Sequence, residues 1–155
     1  MVIRRAEFGD IPELLRLLEQ VNEVHHLARP DLFRHASRKY TPEELSALLR
    51  DPEKPILCAA EGAGLLGYAF CALQTHEGEP NFYDMRVLYL DDLCVDECAR
   101  RKGVASALFA AVEALAREAG CYELTLNVWE GNEAAQAFYR SRNLRVQKTT
   151  LELIL

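Results

Sequence analysis

The residues best suited to chemistry lie close together, where a predicted strand ends and a predicted helix begins. The strand carries two adjacent carboxylates, Asp91 and Asp92, and a basic turn rich in small residues follows it. Such a turn suits a phosphate, because backbone N–H groups at a helix start point at the anion and small residues let the main chain approach it. The candidate phosphate-binding residues are Arg100, Arg101, Lys102, Gly103, Val104, Ala105 and Ser106. An ordinary strand-to-helix turn with solvated cations is the alternative, and the spacings of a P-loop or a Rossmann dinucleotide site are absent.

The composition excludes several classes of protein. The chain has 155 residues, of which 50% are hydrophobic and 27% charged, so disorder is excluded as its dominant state. At this length folding hides roughly 70% of the surface that the unfolded chain exposes, and we expect one domain over residues 1–155. The net charge of −6 argues against a general nucleic-acid binder and agrees better with a small cationic substrate. Because the chain has no apolar run of about 18 residues and no secretory signal, we expect no membrane contact and a cytoplasmic location.

The cysteines are interpreted as reduced structural thiols. They are odd in number, lie mostly inside apolar runs and include no C-x-x-C pair: Cys58, Cys71, Cys94, Cys98 and Cys121. Metal binding or nucleophilic chemistry at Cys94 and Cys98 is the alternative, but neither has a histidine in the same motif. We therefore expect no metal site.

Strands and helices alternate along the chain and must position the reactive groups. Strands are predicted at residues 2–6, 56–61, 65–73, 85–95, 123–128 and 145–155. Helices are predicted from Asp10 to before Pro30, from Thr41, over 104–119 and over 133–142, the first two opened by capping boxes with Glu13 and Glu44. This order indicates a layered mixed-sheet fold of the α/β or α+β class. The last strand is apolar on much of both faces, which favours burial against a second subunit, as in a homodimer, or a central place in the sheet.

Two motifs make the sequence resemble the GNAT superfamily of N-acetyltransferases. The family's cofactor motif is matched by Arg100, Gly103 and Ala105, and its Asn-x-x-Ala-x-x-Phe-Tyr motif by Asn132, Ala135, Phe138 and Tyr139. The resemblance implies a mixed, mostly antiparallel central sheet with helices on both faces. It also implies an enzyme that moves acetyl from acetyl-CoA directly to an amine. The run from Tyr89 to Val95 looks most like the branch that acetylates diamines and polyamines.

The same resemblance implies roles for individual residues. Together with the basic turn, the implied cofactor contacts are Leu93, Cys94, Val95, Asn127 and Asn132. Backbone N–H groups near Leu93 to Val95 would stabilise the carbonyl oxygen if the strand splays from its neighbour, as the resemblance implies. Tyr139 is implied as the general acid for the departing sulfur, although taken in isolation it is typical of a core aromatic residue. A helix N-cap is the alternative role for Asn132.

A carboxylate must accept the proton of the amine. An amine with a pKa of about 10.4 is protonated at neutral pH, and its deprotonation costs roughly 4.6 kcal/mol. Alternation along the strand sends Asp91 and Asp92 to opposite faces, so that only one of them faces the reacting centre. The resemblance selects Asp91, one methylene shorter than the family's Glu, which favours a bridging water; an ordinary polar strand residue is the alternative. Besides a small diamine or polyamine, a protein α- or ε-amine and a catalytically silent acyl-CoA-binding module stay open as functions.

Overall fold

One twisted sheet organises the fold. In the computed structural model, which describes residues 1–155, the strands are β1 (Val2–Arg5), β2 (Ile56–Glu61), β3 (Gly64–His76), β4 (Met85–Val95) and β5 (Glu123–Leu126). They pair in the order β1-β2-β3-β4-β5. All neighbours are antiparallel except β4 and β5, which are parallel. The predicted mixed, mostly antiparallel sheet is confirmed.

Helices cover both faces of the sheet. They are α1 (Ile11–Ala28), α2 (Pro42–Leu48), α3 (Val104–Glu118) and α4 (Glu133–Ser141). A first core lies between the sheet and α3, where Leu88 and Leu90 pack with Leu108. A second core lies on the opposite face, where leucines of α1 and α2 pack against Tyr68 and Phe70. Because neighbouring side chains of a strand point to opposite faces, each central strand feeds both cores.

The two predicted capping boxes have different outcomes. At α2 the Thr41 hydroxyl accepts a hydrogen bond from the Glu44 N–H at 3.2 Å, and the Glu44 carboxylate accepts one from the Thr41 N–H at 2.8 Å, so this prediction is confirmed. At α1 the capping box is wrong, because the Asp10 carboxylate accepts hydrogen bonds from the Arg4 guanidinium at 2.7 and 2.9 Å instead. The helix still begins at Ile11, after a short 3-10 turn.

The strand predicted at residues 145–155 is wrong for the single chain. These residues belong to no strand and are exposed, and none of their backbone groups takes part in a backbone hydrogen bond. The alternating apolar pattern is typical of a strand, but a strand forms only where a neighbour supplies hydrogen bonds, and β5 is only 4 residues long.

The cysteines are free, and three of them, Cys58, Cys71 and Cys94, are buried. Burial raises the pKa of Cys71 and Cys94 to about 12, so both thiols stay protonated at neutral pH. No group of three or more His, Cys, Asp and Glu side chains is arranged to hold a metal ion. No helix is both long enough and apolar enough to cross a membrane.

Candidate active site

Strand β4 carries one extra residue at its two carboxylates. Phe70 of β3 pairs with Asp92, and the next β3 residue, Cys71, pairs with Leu90, so Asp91 has no partner across the ladder. This is a β-bulge, which interrupts the alternation of side chains. The expectation that the two aspartates face opposite sides of the sheet is therefore wrong. Asp92 contacts Tyr68 of the second core, and Asp91 contacts Tyr40, which packs against the same core.

Asp92 is the more deeply placed of the two carboxylates. It accepts a hydrogen bond of 2.8 Å from the hydroxyl of Tyr68, whose side chain is fully buried. Burial raises the pKa of Asp92, and the hydrogen bond from Tyr68 opposes this in part. Burial also raises the pKa of Tyr68 well above its ordinary value, so that hydroxyl remains a donor. Asp92 is thus a carboxylate with increased basicity, held in a fixed orientation.

Asp91 is paired with a lysine of the chain itself. Its carboxylate lies 2.6 Å from the Nζ atom of Lys39, and the Tyr40 hydroxyl lies 3.4 Å from the same oxygen. The Lys39 ammonium also lies 5.4 Å from the centre of the Tyr40 ring. Burial disfavours the charge of Lys39, but the hydrogen bond and the negative charge of Asp91 outweigh it and raise its pKa. An ammonium group is therefore already bound by this carboxylate and this aromatic face.

Beyond the bulge, β4 and β5 separate. Their pairing ends at Leu90 and Leu126, whereas β4 continues to Val95 along β3 alone. The N–H of Asp96 donates to the Leu66 carbonyl of β3 at 2.9 Å. Because residues of an antiparallel ladder turn their backbone groups alternately toward and away from the partner, the N–H groups of Leu93 and Val95 face the gap. Two free donors thus line the opening between the strands.

Cys94 differs from its two neighbours in the predicted cofactor run. The same alternation turns its backbone toward β3, and its side chain lies in the second core, with the sulfur 3.7 Å from the Leu17 carbonyl. Leu93 and Val95 instead pack against the first core while their N–H groups face the gap. The Cys94 N–H therefore cannot donate to a ligand in the gap. Of the three residues predicted there, only Leu93 and Val95 present a backbone donor to it.

The turn before α3 presents a row of free donors. Gly103 has φ +81° and Arg101 φ +62°, both in the left-handed region, so consecutive N–H groups turn to one side. The first backbone hydrogen bond of the helix start runs from the Ala107 N–H to the Gly103 carbonyl, and the N–H groups of residues 101–106 have no partner. No carboxylate lies within ion-pair distance of the three exposed cations, Arg100, Arg101 and Lys102. This geometry fits a pyrophosphate.

Tyr139, the implied general acid, lies among aromatic side chains of the first core. Tyr139 packs against Phe138 and Phe109, with ring centres 5.2 and 5.9 Å away. Its hydroxyl has no hydrogen-bond partner, and burial together with the negative charge of Asp92 raises its pKa to about 12. Tyr139 is therefore protonated at neutral pH and can donate a proton, and the negative charge of Asp92 contributes to its raised pKa.

The two predicted asparagines and Ser106 already have partners within the chain. The Asn132 side chain caps α4 by accepting from the Ala135 N–H at 3.1 Å, which leaves its amide NH₂ free. Asn127, exposed beyond β5, donates to the Tyr89 hydroxyl at 3.1 Å. The Ser106 hydroxyl accepts from Arg142. The N-cap role of Asn132 is confirmed, and its amide NH₂ stays available to a ligand.

Sequence reasoning missed two residues of this site. Tyr68 lies in an apolar run and is typical of a core aromatic residue, and only the register of β3 against β4 brings its hydroxyl to Asp92. Lys39 lies in the loop before α2, 52 positions from Asp91, and nothing local connects the two. The only local signal is a lysine directly before a tyrosine, ahead of the capping box of α2.

Comparisons with known proteins identify the family of the chain. The model of the acetyltransferase (GNAT) family matches residues 21–143, so the chain belongs to that family. It is an acetyl-CoA-dependent N-acetyltransferase. The free backbone N–H groups of the turn before α3 fit the pyrophosphate of acetyl-CoA.

Three proteins illustrate the similarity. A thialysine N-epsilon-acetyltransferase of Bos taurus is 26% identical over 149 residues, covering 91% of this chain and 82% of that protein. A mutant of the BH1408 protein from Bacillus halodurans is 31% identical, with a TM-score of 0.95 over 100% of this chain and 99% of that one. The aminoglycoside N-acetyltransferase AAC(6')-Iy in complex with CoA shares the fold, at 18% identity and a TM-score of 0.73, over 99% of this chain and 98% of that one.

Proposed function

We propose that the enzyme moves acetyl from acetyl-CoA directly to a primary amine of a small diamine or polyamine, within a ternary complex. The observation that carries this proposal is the β4 bulge, which brings Asp91 and Asp92 to one side of the sheet beside the gap. Two carboxylates there suit a substrate with two ammonium groups, one reacting and one bound. The similarity to a thialysine N-epsilon-acetyltransferase supports an amine acceptor.

Asp92 is our candidate for the group that accepts the amine proton. The resemblance selected Asp91, but an oxygen of Asp91 lies 2.6 Å from the Nζ atom of Lys39, so this carboxylate already has a cationic partner within the chain. The raised pKa of Asp92 suits a group that accepts a proton, directly or through a water. We assign to Asp91 the binding of the second ammonium, in exchange for Lys39.

The remaining steps use groups that border the gap. As the amine nitrogen bonds to the carbonyl carbon, the N–H groups of Leu93 and Val95 stabilise the negative charge on the carbonyl oxygen. As the carbon–sulfur bond breaks, Tyr139 donates its proton to the sulfur. The substrate ammonium gives one proton to Asp92 before it attacks, and the tyrosinate left at position 139 takes the second proton of the nitrogen as the amide forms. Tyr139 is thereby regenerated, and Asp92 returns the one net proton to water.

The turn before α3 is our candidate for the pyrophosphate site of acetyl-CoA. The backbone N–H groups of residues 101–106 would bind the phosphate oxygens, and the exposed Arg100, Arg101 and Lys102 would balance their charge. The amide NH₂ of Asn132 and the exposed Asn127 are our candidates for contacts with the pantetheine arm.

The same proposal covers the organisation of the enzyme. We place it in the cytoplasm as one domain over residues 1–155, acting as a homodimer on a free small molecule rather than on nucleic acid or a membrane. The net charge of −6 supports a cationic acceptor, and the exposed apolar C-terminal segment supports a second subunit.

A thiol-release assay with acetyl-CoA tests the proposal. The panel contains diamines, polyamines, monoamines of matched length, amino acids and peptides with free N-termini, with the Tyr139→Phe variant as the control for catalysed release. We expect kcat/KM for a diamine to exceed that for the monoamine of equal length by about tenfold, the value of one additional charge-assisted contact. Equal values, or a preference for peptides, would contradict the small-diamine assignment and favour a protein amine as acceptor.

A further inference from the structure

A lysine of the chain lies where the proposed function places a substrate ammonium. The Nζ atom of Lys39 is 2.6 Å from the Asp91 carboxylate and 5.4 Å from the centre of the Tyr40 ring. The Lys39 side chain is 49% exposed, so its amine is accessible to solvent. A lysine ends in a primary amine on a flexible four-carbon stem, which is also the chemistry of one end of a diamine. Lys39 therefore resembles the proposed acceptor in both its chemical group and its position.

The loop that carries Lys39 is held by α1, whereas the Lys39 side chain reaches β4. The Ala36 N–H donates to the Glu23 carboxylate at 2.7 Å, and Arg38 donates to the Glu19 carboxylate at 2.6 Å. These contacts fix the backbone just before Lys39 against the helix. The stem of Lys39 can change rotamer from this anchored backbone without moving the loop.

The groups of the proposed mechanism lie near this amine. Burial raises the pKa of Asp92, and the charge of Lys39 is among those that oppose this effect, so Asp92 as well as Asp91 lies within electrostatic range of Nζ. Leu93, whose N–H faces the gap, is two residues beyond Asp91 on β4, roughly 7 Å along a strand. Rotation about the bonds of the lysine stem can carry Nζ over such a distance.

We propose that the enzyme acetylates its own Lys39, within one chain, when acetyl-CoA is bound and no acceptor is present. The Lys39 ammonium gives one proton to Asp92, Nζ bonds to the carbonyl carbon, and the carbon–sulfur bond breaks as Tyr139 protonates the sulfur. The tyrosinate takes the second proton of the nitrogen, and Asp92 returns one net proton to water. The products are Nε-acetyl-lysine and the free thiol of CoA. This inference rests on the proposed function and adds a modification site to it.

Acetylation changes the charge at the acceptor site. The amide of an acetylated lysine carries no positive charge, so Asp91 loses its partner and becomes open to an ammonium of the acceptor. A bound diamine, in turn, competes with Lys39 for Asp91 and protects the lysine. The modified enzyme therefore binds a diamine more tightly than the unmodified enzyme does.

Peptide mass spectrometry after incubation with acetyl-CoA alone tests the modification. Lys54 is the matched control, because it is also paired with an aspartate, Asp51, and its side chain is 53% exposed. We expect Lys39 to gain an acetyl group at least about tenfold faster than Lys54, since only Lys39 is positioned at the site, and dilution of the enzyme should leave its rate constant unchanged. Tyr139→Phe should slow the reaction at Lys39 by about 10²-fold. Equal rates at Lys39 and Lys54, a Lys39 rate that falls on dilution, or one that Tyr139→Phe leaves unchanged overturns the proposal.

The effect on the acceptor site is measured separately. The parent and Lys39→Arg, which keeps the positive charge but has no primary amine, are incubated with acetyl-CoA, passed through gel filtration and assayed with a diamine. We expect the incubation to lower KM for the diamine by up to about fivefold in the parent, the range of a partly exposed ion pair, and to leave it unchanged in Lys39→Arg. A KM that complete acetylation of Lys39 does not alter overturns the charge exchange. The mass-spectrometric result needs no added amine, so it succeeds or fails independently of the acceptor that the thiol-release assay identifies.

Discussion

The Lys39 ammonium lies 2.6 Å from the Asp91 carboxylate, and Asp91 is the residue that the bulge inserts into β4. The lysine occupies the position that a second substrate ammonium would take under our proposal. A cationic acceptor must therefore exchange with a cation of the enzyme rather than fill an empty anionic site. The exchange preserves the local charge and favours acceptors that carry more than one ammonium group.

Removing the Lys39 ammonium should strengthen the binding of a diamine. In Lys39→Met the Asp91 carboxylate loses its partner. We expect KM for the diamine to fall by up to about fivefold, which is the range expected for a partly exposed ion pair, and kcat to change less than about twofold. Arg38→Met, which removes a surface cation paired with Glu19, is the matched control and should leave KM unchanged. Steady-state kinetics at low ionic strength measure both. A KM that rises in Lys39→Met would instead show that Lys39 helps to bind the acceptor.

The pH profile should depend on the hydroxyl of Tyr68. Its hydrogen bond lowers the pKa of Asp92, which burial raises, so Tyr68→Phe leaves the burial effect and raises that pKa further. Because a proton acceptor works in its deprotonated form, the acidic limb of kcat/KM should move to higher pH in this variant.

Asp92→Asn provides the stronger test of the same carboxylate. This variant should lose about 10²–10⁴ of kcat across the profile, the usual value of a general base. The corresponding change at the other carboxylate, Asp91→Asn, should act mainly on KM for the diamine. If Asp91→Asn alone abolished kcat, the assignment of the two carboxylates would be reversed.

The hydroxyl of Tyr139 should matter to the chemical step alone. With a pKa of about 12 it is protonated throughout the neutral range and can donate to the sulfur. Tyr139→Phe keeps the aromatic packing against Phe138 and Phe109 and should lower kcat by about 10²-fold or more, with the acetyl-CoA dissociation constant unchanged. Tyr122→Phe, a change at an exposed residue just before β5, serves as the control. Single-turnover kinetics make the comparison under conditions where chemistry limits the rate, and an unchanged rate would exclude the acid role.

Local patterns determine most elements of this fold. The prediction for β4, residues 85–95, coincides with the observed strand, and α3 begins at Val104 as predicted. Both predictions depend only on residues close together in the chain: the periodicity of apolar residues and the glycine just before the helix. The C-terminal segment shows the limit, since its pattern is strand-like but the single chain supplies it with no neighbouring strand to pair with.

The site was less accessible from sequence than the fold. The turn motif around Gly103 was found because its spacing is local. The bulge at Asp91 was not found, since an inserted residue is defined only by the register with β3, and alternation then assigned the two aspartates to the wrong faces. Contacts between distant positions, such as Lys39 with Asp91, follow from the packing of the loop before α2 against the sheet rather than from a pattern in the sequence.

Gly103 allows the turn before α3 to be tested with a close internal control. Its φ of +81° lies in the left-handed region, where a β-branched residue is strained. Gly120, just after α3, has a similar φ of +69°. A Cβ atom at either position would meet no atom within 4 Å. Gly103→Val and Gly120→Val should therefore destabilise the fold by similar amounts, about 1–2 kcal/mol, in urea unfolding. Only Gly103→Val should also weaken the binding of acetyl-CoA, with a dissociation constant about tenfold higher or more in calorimetry. The reason is that the strained residue relaxes by turning the N–H groups of the turn away from the pyrophosphate. If the two variants lost stability equally and both bound acetyl-CoA as the parent does, the pyrophosphate site would have to lie elsewhere on the protein.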